Sequence, residues 1–175
     1  MGRRFSRLGS LGTQLGLMLF VAPEQALAAF RRALRPGGRA SVVVFSTPAA
    51  NPFMSKPMQI LLRHAGKAPP APGQPGVFSL GAPGALERLF ADAAFVDFEE
   101  HNVALELKLP SATQALDLMQ EAFGAYRAVI SSSPETVQRA AWAEVGEALH
   151  GFKSEVGFVA PGEARVAAAV NPASR

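Results

Sequence analysis

The chain has 175 residues, 49% of them hydrophobic, which is long and apolar enough for a core of its own and argues against overall disorder. It has no cysteine, which excludes disulfides and thiolate metal sites, and its three histidines share no metal-ligand spacing. The net charge of +3 comes from three arginines in the first twelve residues. Because the remaining basic and acidic residues balance, no basic face for nucleic acid is expected.

The first twelve residues are predicted to be an irregular basic tail, because they are rich in glycine, serine and arginine. Arg3-Arg4, the apolar run of residues 15–22 and Ala26-Leu27-Ala28 also resemble an export signal, and Met1-Gly2 begins a myristoylation pattern. Cleavage after Ala28 would cut the helix predicted next, and the apolar run is too short to span a bilayer. A cytoplasmic protein without membrane association is therefore expected.

A helix, a tight turn and a buried strand are predicted in succession after this region. Residues 24–35 have an apolar helical face, formed by Leu27, Phe30 and Leu34. Pro36 should end this helix, with Gly37 or Gly38 in the left-handed conformation that closes it. The strand predicted over residues 40–46 is unalternating and rich in valine, as in parallel strands covered on both faces. This order predicts an α/β fold.

The rest of the chain continues the alternation of helices and strands. Apolar spacing and capping residues predict helices over residues 53–64, 83–93, 111–130 and 133–150. Strands are predicted over residues 95–109 and 164–170, the second of them after a Pro161-Gly162 turn. Proline and glycine predict loops over residues 47–52 and 67–76.

Seven short segments, taken in order, resemble the class I S-adenosylmethionine-dependent methyltransferases, and the UbiE-like small-molecule group above all. They are Leu15–Phe20, Ala26-Leu27, Leu34–Arg39, Asn51–Phe53, Pro75–Gly81, Ala93–Phe95 and Gly157–Glu163. The resemblance implies a sheet between helix layers with a terminal antiparallel hairpin. Residues 40–46, 95–109 and 164–170 would be the fifth, sixth and seventh strands of that sheet.

The resemblance begins near Thr13, which implies an incomplete Rossmann-like methyltransferase sheet with at most part of the fourth strand. Residues 13–175 would be a partial methyltransferase domain, with residues 111–150 as a helical insertion that helps to shape a substrate pocket. The family's glycine-rich loop and the acid that hold S-adenosyl-L-methionine precede this region, and the sequence contains no G-x-G-x-x-G. The N-terminal cofactor-binding half is therefore expected to be missing, with Met1 an out-of-frame or late start, or a wrong gene boundary.

The resemblance also implies site residues. Those expected next to the cofactor, at the end of the fourth strand, are Thr13, Gln14 and Leu15. Those expected to line the substrate pocket are Met18, Phe53 and Met54. The residues of the first set indicate ordinary loop positions at least as well, and methionine or phenylalanine at helical spacing is more often a plain core residue. Such enzymes often work by aligning a nucleophile with the methyl group, so no catalytic side chain and no metal site are expected.

Other chemistry-bearing residues have simpler interpretations. His64 and His101 are expected at the surface rather than as general bases, and Tyr126 and Trp142 in the core. Ala94 stands where the family has a glycine at a helix end. A left-handed conformation there would cost about 1 kcal/mol.

The expected function is methylation of a small molecule with S-adenosyl-L-methionine, in a chain that does not bind this cofactor measurably by itself. A second hypothesis is a non-catalytic interaction module. Without its first strands the sheet would expose an edge, through which it could pair with another chain or a second copy. A third hypothesis is a gene-boundary artefact without function.

Overall fold

The strands form a five-stranded sheet in the computed structural model, which describes residues 8–71 and 74–173. Its strands are β1 (Leu8–Gln14), β2 (Leu34–Phe45), β3 (Val96–Leu109), β4 (Lys153–Ser154) and β5 (Gly157–Val170). The strand order is β1-β2-β5-β3, with β4 also beside β5. β1 and β2 are parallel, whereas β5 is antiparallel to both β2 and β4.

The described residues also form six α-helices. They are α1 (Pro23–Ala33), α2 (Pro52–His64), α3 (Ala85–Asp92), α4 (Ala112–Ala122), α5 (Gly124–Ile130) and α6 (Glu135–Leu149). None of the helices in the described ranges is long and apolar enough to cross a membrane. One open sheet with helices confirms the α/β class that was predicted.

The chain divides into two compact units. Unit 1 comprises Met1–Thr47, Pro72–Val103 and Glu163–Arg175, and unit 2 comprises Pro48–Ala71 and Ala104–Gly162. The core of unit 1 combines small and β-branched residues of β2 and β5 with leucine and phenylalanine residues of α1 and α3. The core of unit 2 is built largely from α2, α4, α5 and α6, and includes Phe53, Tyr126 and Phe158.

The prediction of an irregular segment over residues 1–12 is wrong for residues 8–12, which belong to β1; residues 1–7 lie outside the described part of the chain. Ser10 to Gln14 pair in register with Arg39 to Val43 of β2. The strand has two glycines and no alternating apolar pattern, so its own sequence favours a loop. Its pairing with a strongly apolar neighbour overrides that local preference.

The Pro-Gly-Gly segment is a bulge within β2 rather than a turn before it. α1 ends at Ala33, and β2 pairs with β1 through Leu34 and again from Arg39 onwards. Between these two pairings β2 contains more residues than β1 does, and the extra residues form the bulge. Gly37 does adopt the predicted left-handed conformation, with φ of 74°, but it lies within this bulge rather than at the end of a helix. A Cβ on Gly38 would lie 2.9 Å from the Arg35 carbonyl oxygen, so the bulge requires glycine there as well.

Two other segments differ from their predictions. The single helix predicted over residues 111–130 is two helices, α4 and α5, because the backbone turns at Phe123 (φ −94°, ψ 80°) before the helix-weakening Gly124. β5 begins at Gly157, earlier than predicted, since its first residues pair with the short strand β4. The predicted strand of residues 164–170 is the part of β5 that pairs with β2.

Candidate cofactor and substrate site

The residues predicted to contact the cofactor follow the carboxyl end of β1. Because β1 and β2 are parallel, their carboxyl ends share one edge of the sheet, the edge at which open α/β sheets bind ligands. The backbone N–H of Leu15 donates to the Val43 carbonyl of β2 at 2.8 Å. Leu15 itself has φ of 55°, a left-handed conformation that is strained for leucine. The chain therefore turns sharply into a short 3-10 helix, Leu17–Leu19.

The side chains of this turn differ in exposure. Gln14 is exposed to solvent, while Thr13 and Leu15 are half-buried. A Cβ on Gly16 would lie 2.8 Å from the Thr13 hydroxyl oxygen, so the hydroxyl closes over this glycine. Gln14 is thus the side chain of the predicted cofactor set that is freest to meet a ligand.

Met18 is fully buried and its carbonyl is held by a second loop. The Ser79 hydroxyl donates to this carbonyl at 2.7 Å, and the Gly76 N–H donates to it at 3.0 Å. Sequence reasoning assigned no role to Ser79, although it lies within one of the family-like segments, Pro75–Gly81. The loop therefore fixes the backbone of the turn that carries the predicted cofactor residues.

The same loop lies directly on the end of β2. A Cβ on Gly81 would be 2.2 Å from the Ser46 carbonyl oxygen, a distance that no side chain could tolerate without movement of the backbone. Ser46 is fully buried, and its N–H donates to the Glu163 carbonyl at 3.0 Å. Tight backbone contacts therefore surround the end of β2 in unit 1.

Phe53 and Met54, predicted to line a substrate pocket, lie in the first turn of α2 in unit 2. Phe53 is buried, with edge-on contacts to Phe123 and Phe158 at centroid distances of 6.5 and 5.8 Å. The Met54 carbonyl accepts a hydrogen bond of 2.8 Å from the Tyr126 hydroxyl. Burial raises the pKa of Tyr126, so this hydroxyl stays protonated and donates. Both residues have structural contacts, and their role towards a substrate stays a prediction.

The predicted site residues therefore form two groups. Thr13, Gln14, Leu15 and Met18 are neighbours in one turn of unit 1, whereas Phe53 and Met54 are neighbours in unit 2.

Several titratable side chains of the described residues form ion pairs. His64 is half-buried, and its Nε2 lies 2.8 Å from Glu144, which also binds Arg63. Arg63 first and His64 second lower the pKa of the Glu144 carboxyl. Within residues 8–71 and 74–173, no three histidine or acidic side chains are grouped as metal ligands.

A buried ion pair in unit 1 was not anticipated from the sequence. Arg165 of β5 donates from Nη1 to Glu100 of β3 at 2.7 Å, and their side chains are only 10% and 18% exposed. The Arg165 Nε is buried without a hydrogen-bond partner. The two residues are 65 positions apart, so no local pattern in the sequence could have revealed the pair.

The residues at the carboxyl ends of β1 and β2 do not fit the whole of S-adenosyl-L-methionine. Binding its ribose and methionine parts calls for a glycine-rich loop and an acid, as the family resemblance implies. Residues 14–23 and 46–51, which follow β1 and β2, contain no acidic residue, and the sequence has no G-x-G-x-x-G. These segments offer a strained turn at Leu15, the exposed amide of Gln14 and the hydroxyl groups of Ser46 and Thr47.

Comparison with known proteins gives a fold but no sequence relative. No protein-family model matches the sequence, and no curated protein matches it. Among solved structures the chain is similar to BH2331 of Bacillus halodurans, which is named as a methyltransferase. The match has a TM-score of 0.53 and 15% identity, and covers 98% of this chain and 68% of that one. YcgJ of Bacillus subtilis matches with a TM-score of 0.50 and 12% identity, over 99% of this chain and 68% of its own.

These matches confirm the methyltransferase-like α/β fold predicted from the sequence resemblance, while the incomplete Rossmann-like sheet stays a prediction. The chain has a class I methyltransferase fold, with its sheet order of β1-β2-β5-β3 and an antiparallel β5. At 12% and 15% identity these matches show the fold alone.

Proposed function

We propose that this chain belongs to an S-adenosyl-L-methionine-dependent methyltransferase that acts on a small molecule. The observation that carries the proposal is the fold, which is similar over 98% of the chain to a protein named as a methyltransferase. In this proposal Thr13, Gln14 and Leu15 contribute contacts to the cofactor from the carboxyl edge of the sheet. No side chain is assigned an acid–base role.

We further propose that these residues alone bind the cofactor only weakly. Two observations support this: the absence of G-x-G-x-x-G from the sequence, and the lack of an acid after β1 and β2. Calorimetric titration of the purified chain with S-adenosyl-L-methionine is expected to show no binding at micromolar concentrations. A micromolar Kd would overturn this part of the proposal.

The location of weak binding tests the methyltransferase assignment separately. At millimolar S-adenosyl-L-methionine, amide chemical shifts are expected to change at residues 13–18, and Gln14→Ala should reduce these changes. Ser154 in β4 provides a control position whose shift should stay constant. Shift changes that avoid residues 13–18 altogether would contradict the assignment of this edge as a cofactor site.

A non-catalytic interaction module is the second candidate, and the contrast between the two edge strands favours it. The segment of β1 from Leu8 to Gln14 has no charged residue, whereas β3 presents the exposed side chains of Asp97 and Glu99. Charged side chains protect an edge strand from pairing with another chain, so β1 is the less protected edge.

Light scattering after size-exclusion chromatography tests this candidate. Pairing through β1 predicts concentration-dependent association that Ser10→Lys abolishes, because Ser10 is exposed and a charge there disfavours strand addition. His101→Lys, at an exposed position of β3, is the matched control and should have no effect. A chain that stays monomeric at all concentrations would count against self-pairing.

A further inference from the structure

A groove on the surface of unit 2 has no part in either proposal above. It lies between α4 and α6, and its volume is about 520 Å³. Its walls include Leu116 and Gln120 of α4 and Glu135, Arg139, Trp142 and Ala143 of α6. The size falls in the range of small-molecule sites in proteins.

The groove is elongated, because its α6 residues lie three and four positions apart on one helix face. From residue 135 to residue 143 an α-helix rises about 12 Å, and Leu116 and Gln120, one turn apart on α4, flank about 6 Å of this length. An extended chain of several methylene groups fits such a shape better than a compact ligand does.

The two ends of the groove differ in polarity. Leu116 lies near Gly146, where an added Cβ would be 3.4 Å from its Cδ2, so Leu116, Trp142 and Ala143 form an apolar end. At the other end Arg139 donates from Nη1 to Glu135 at 3.2 Å.

Arg139 is available to a ligand despite this ion pair. The Arg139 side chain is 70% exposed and the Glu135 side chain 81%, and exposed pairs of this spacing contribute little. A guanidinium group has five N–H donors in a planar fork that matches a carboxylate, and Glu135 occupies only part of them.

We propose that this groove binds a medium-chain alkyl carboxylate, with the alkyl chain against Trp142 and Leu116 and the carboxylate on Arg139. The proposal rests on the geometry of unit 2 and is independent of methyltransferase activity. Gln138, which also borders the groove, donates to the Ser133 carbonyl at 2.8 Å and is not needed for it.

Trp142 is the only tryptophan of the chain, so its fluorescence reports on the groove directly. Octanoate, which does not absorb the exciting light, is expected to shift the emission to shorter wavelength with a Kd on the order of 1 mM. Octan-1-ol and octylammonium should bind more weakly. No saturable change up to about ten times that Kd, or equal binding of octan-1-ol, or tighter binding of octylammonium, would overturn the proposal.

Surface variants separate the two ends of the site. Arg139→Gln should weaken octanoate binding about fivefold without affecting octan-1-ol, and Glu135→Gln should strengthen octanoate binding about twofold. Ala143→Phe should fill the apolar end and abolish binding. Arg88→Gln, at an exposed position in α3 of unit 1, is the matched control and should leave the Kd unchanged. Octanoate binding that Arg139→Gln leaves unaltered would refute the assigned position of the carboxylate.

Discussion

Unit 1 and unit 2 differ in the kind of contact that stabilises each of them internally. In unit 1, buried polar side chains join strands that are far apart in sequence: Arg165 binds Glu100, and Asn171 binds the end of α1 and the start of β2. In unit 2, aromatic rings of Phe53, Phe123 and Phe158 pack among the helices, whereas polar pairs such as His64–Glu144 lie nearer the surface. Single polar substitutions should therefore destabilise unit 1 strongly and unit 2 only slightly.

The largest effect is expected from Glu100→Gln. It leaves the guanidinium of Arg165 buried without a compensating charge, which should lower the free energy of unfolding by about 3–5 kcal/mol. Urea denaturation followed by circular dichroism measures this loss. The double variant Glu100→Gln, Arg165→Met should recover much of it, because the buried charge is then gone. A loss below about 1 kcal/mol would contradict the difference between the units.

The next largest effect is expected from Asn171→Ala. The buried Asn171 amide donates to the carbonyls of Arg31, Leu34 and Arg35 at 3.1–3.2 Å, and its removal leaves those acceptors without this donor. We expect a loss of about 2–3 kcal/mol in thermal or chemical unfolding. Asn102→Ala, at an exposed position of β3, should change stability little. Equal effects of the two substitutions would show that the amide does not hold the strands together.

A gain of stability is expected from Ala94→Gly in unit 1. Ala94 has φ of 57°, as the sequence resemblance suggested, and glycine adopts this conformation without the steric cost. The free energy of unfolding should rise by about 1 kcal/mol. Ala91→Gly in α3 is a matched control with helical backbone and should instead lower it by roughly 0.5–1 kcal/mol. A decrease in both variants would mean that Ala94 is not strained.

The smallest effect concerns the polar cluster of unit 2. Because Arg63 and His64 lower the pKa of Glu144 in the folded chain, the carboxylate stabilises the fold above the pKa it has when unfolded. This contribution disappears as the pH falls through the lowered pKa of the folded state. Acid titration of Glu144→Gln should therefore show a slightly shallower loss of stability than the original chain. An identical titration of both would mean that the cluster contributes nothing.

The same contrast explains how much of the fold was predictable. Helices such as α2 and α6 follow from apolar spacing, and Ser111 caps α4 as its sequence indicates, accepting from the Gln114 N–H at 3.2 Å. β1 was missed because glycine, serine and threonine give it no pattern, and only its pairing with β2 makes it a strand. Local sequence determines a helix far more completely than it determines the partner of a strand.

The contacts of the candidate site were also only partly predictable from local sequence. The turn after β1 was located by resemblance, but the contacts that fix it come from a loop some sixty residues later, through Ser79 and Gly76. Arg165 and Glu100 likewise have no local signature, since an arginine in a strand usually faces solvent. Contacts between distant segments depend on the tertiary fold, which no single stretch of sequence encodes.

The bulge of β2 has a consequence for how the sheet assembles. Sliding β1 by one residue along β2 would exchange the side chains on its two faces, and the sparse pattern of β1 offers little resistance to such a slip. The bulge supplies that resistance, because the extra residues before Arg39 fit only where Gly37 and Gly38 permit the backbone geometry. Asn171 fixes its position from the other side, through backbone hydrogen bonds of 2.8 Å with both glycines. The bulge thus fixes the register of β1 on β2, which the sequence of β1 by itself specifies only weakly.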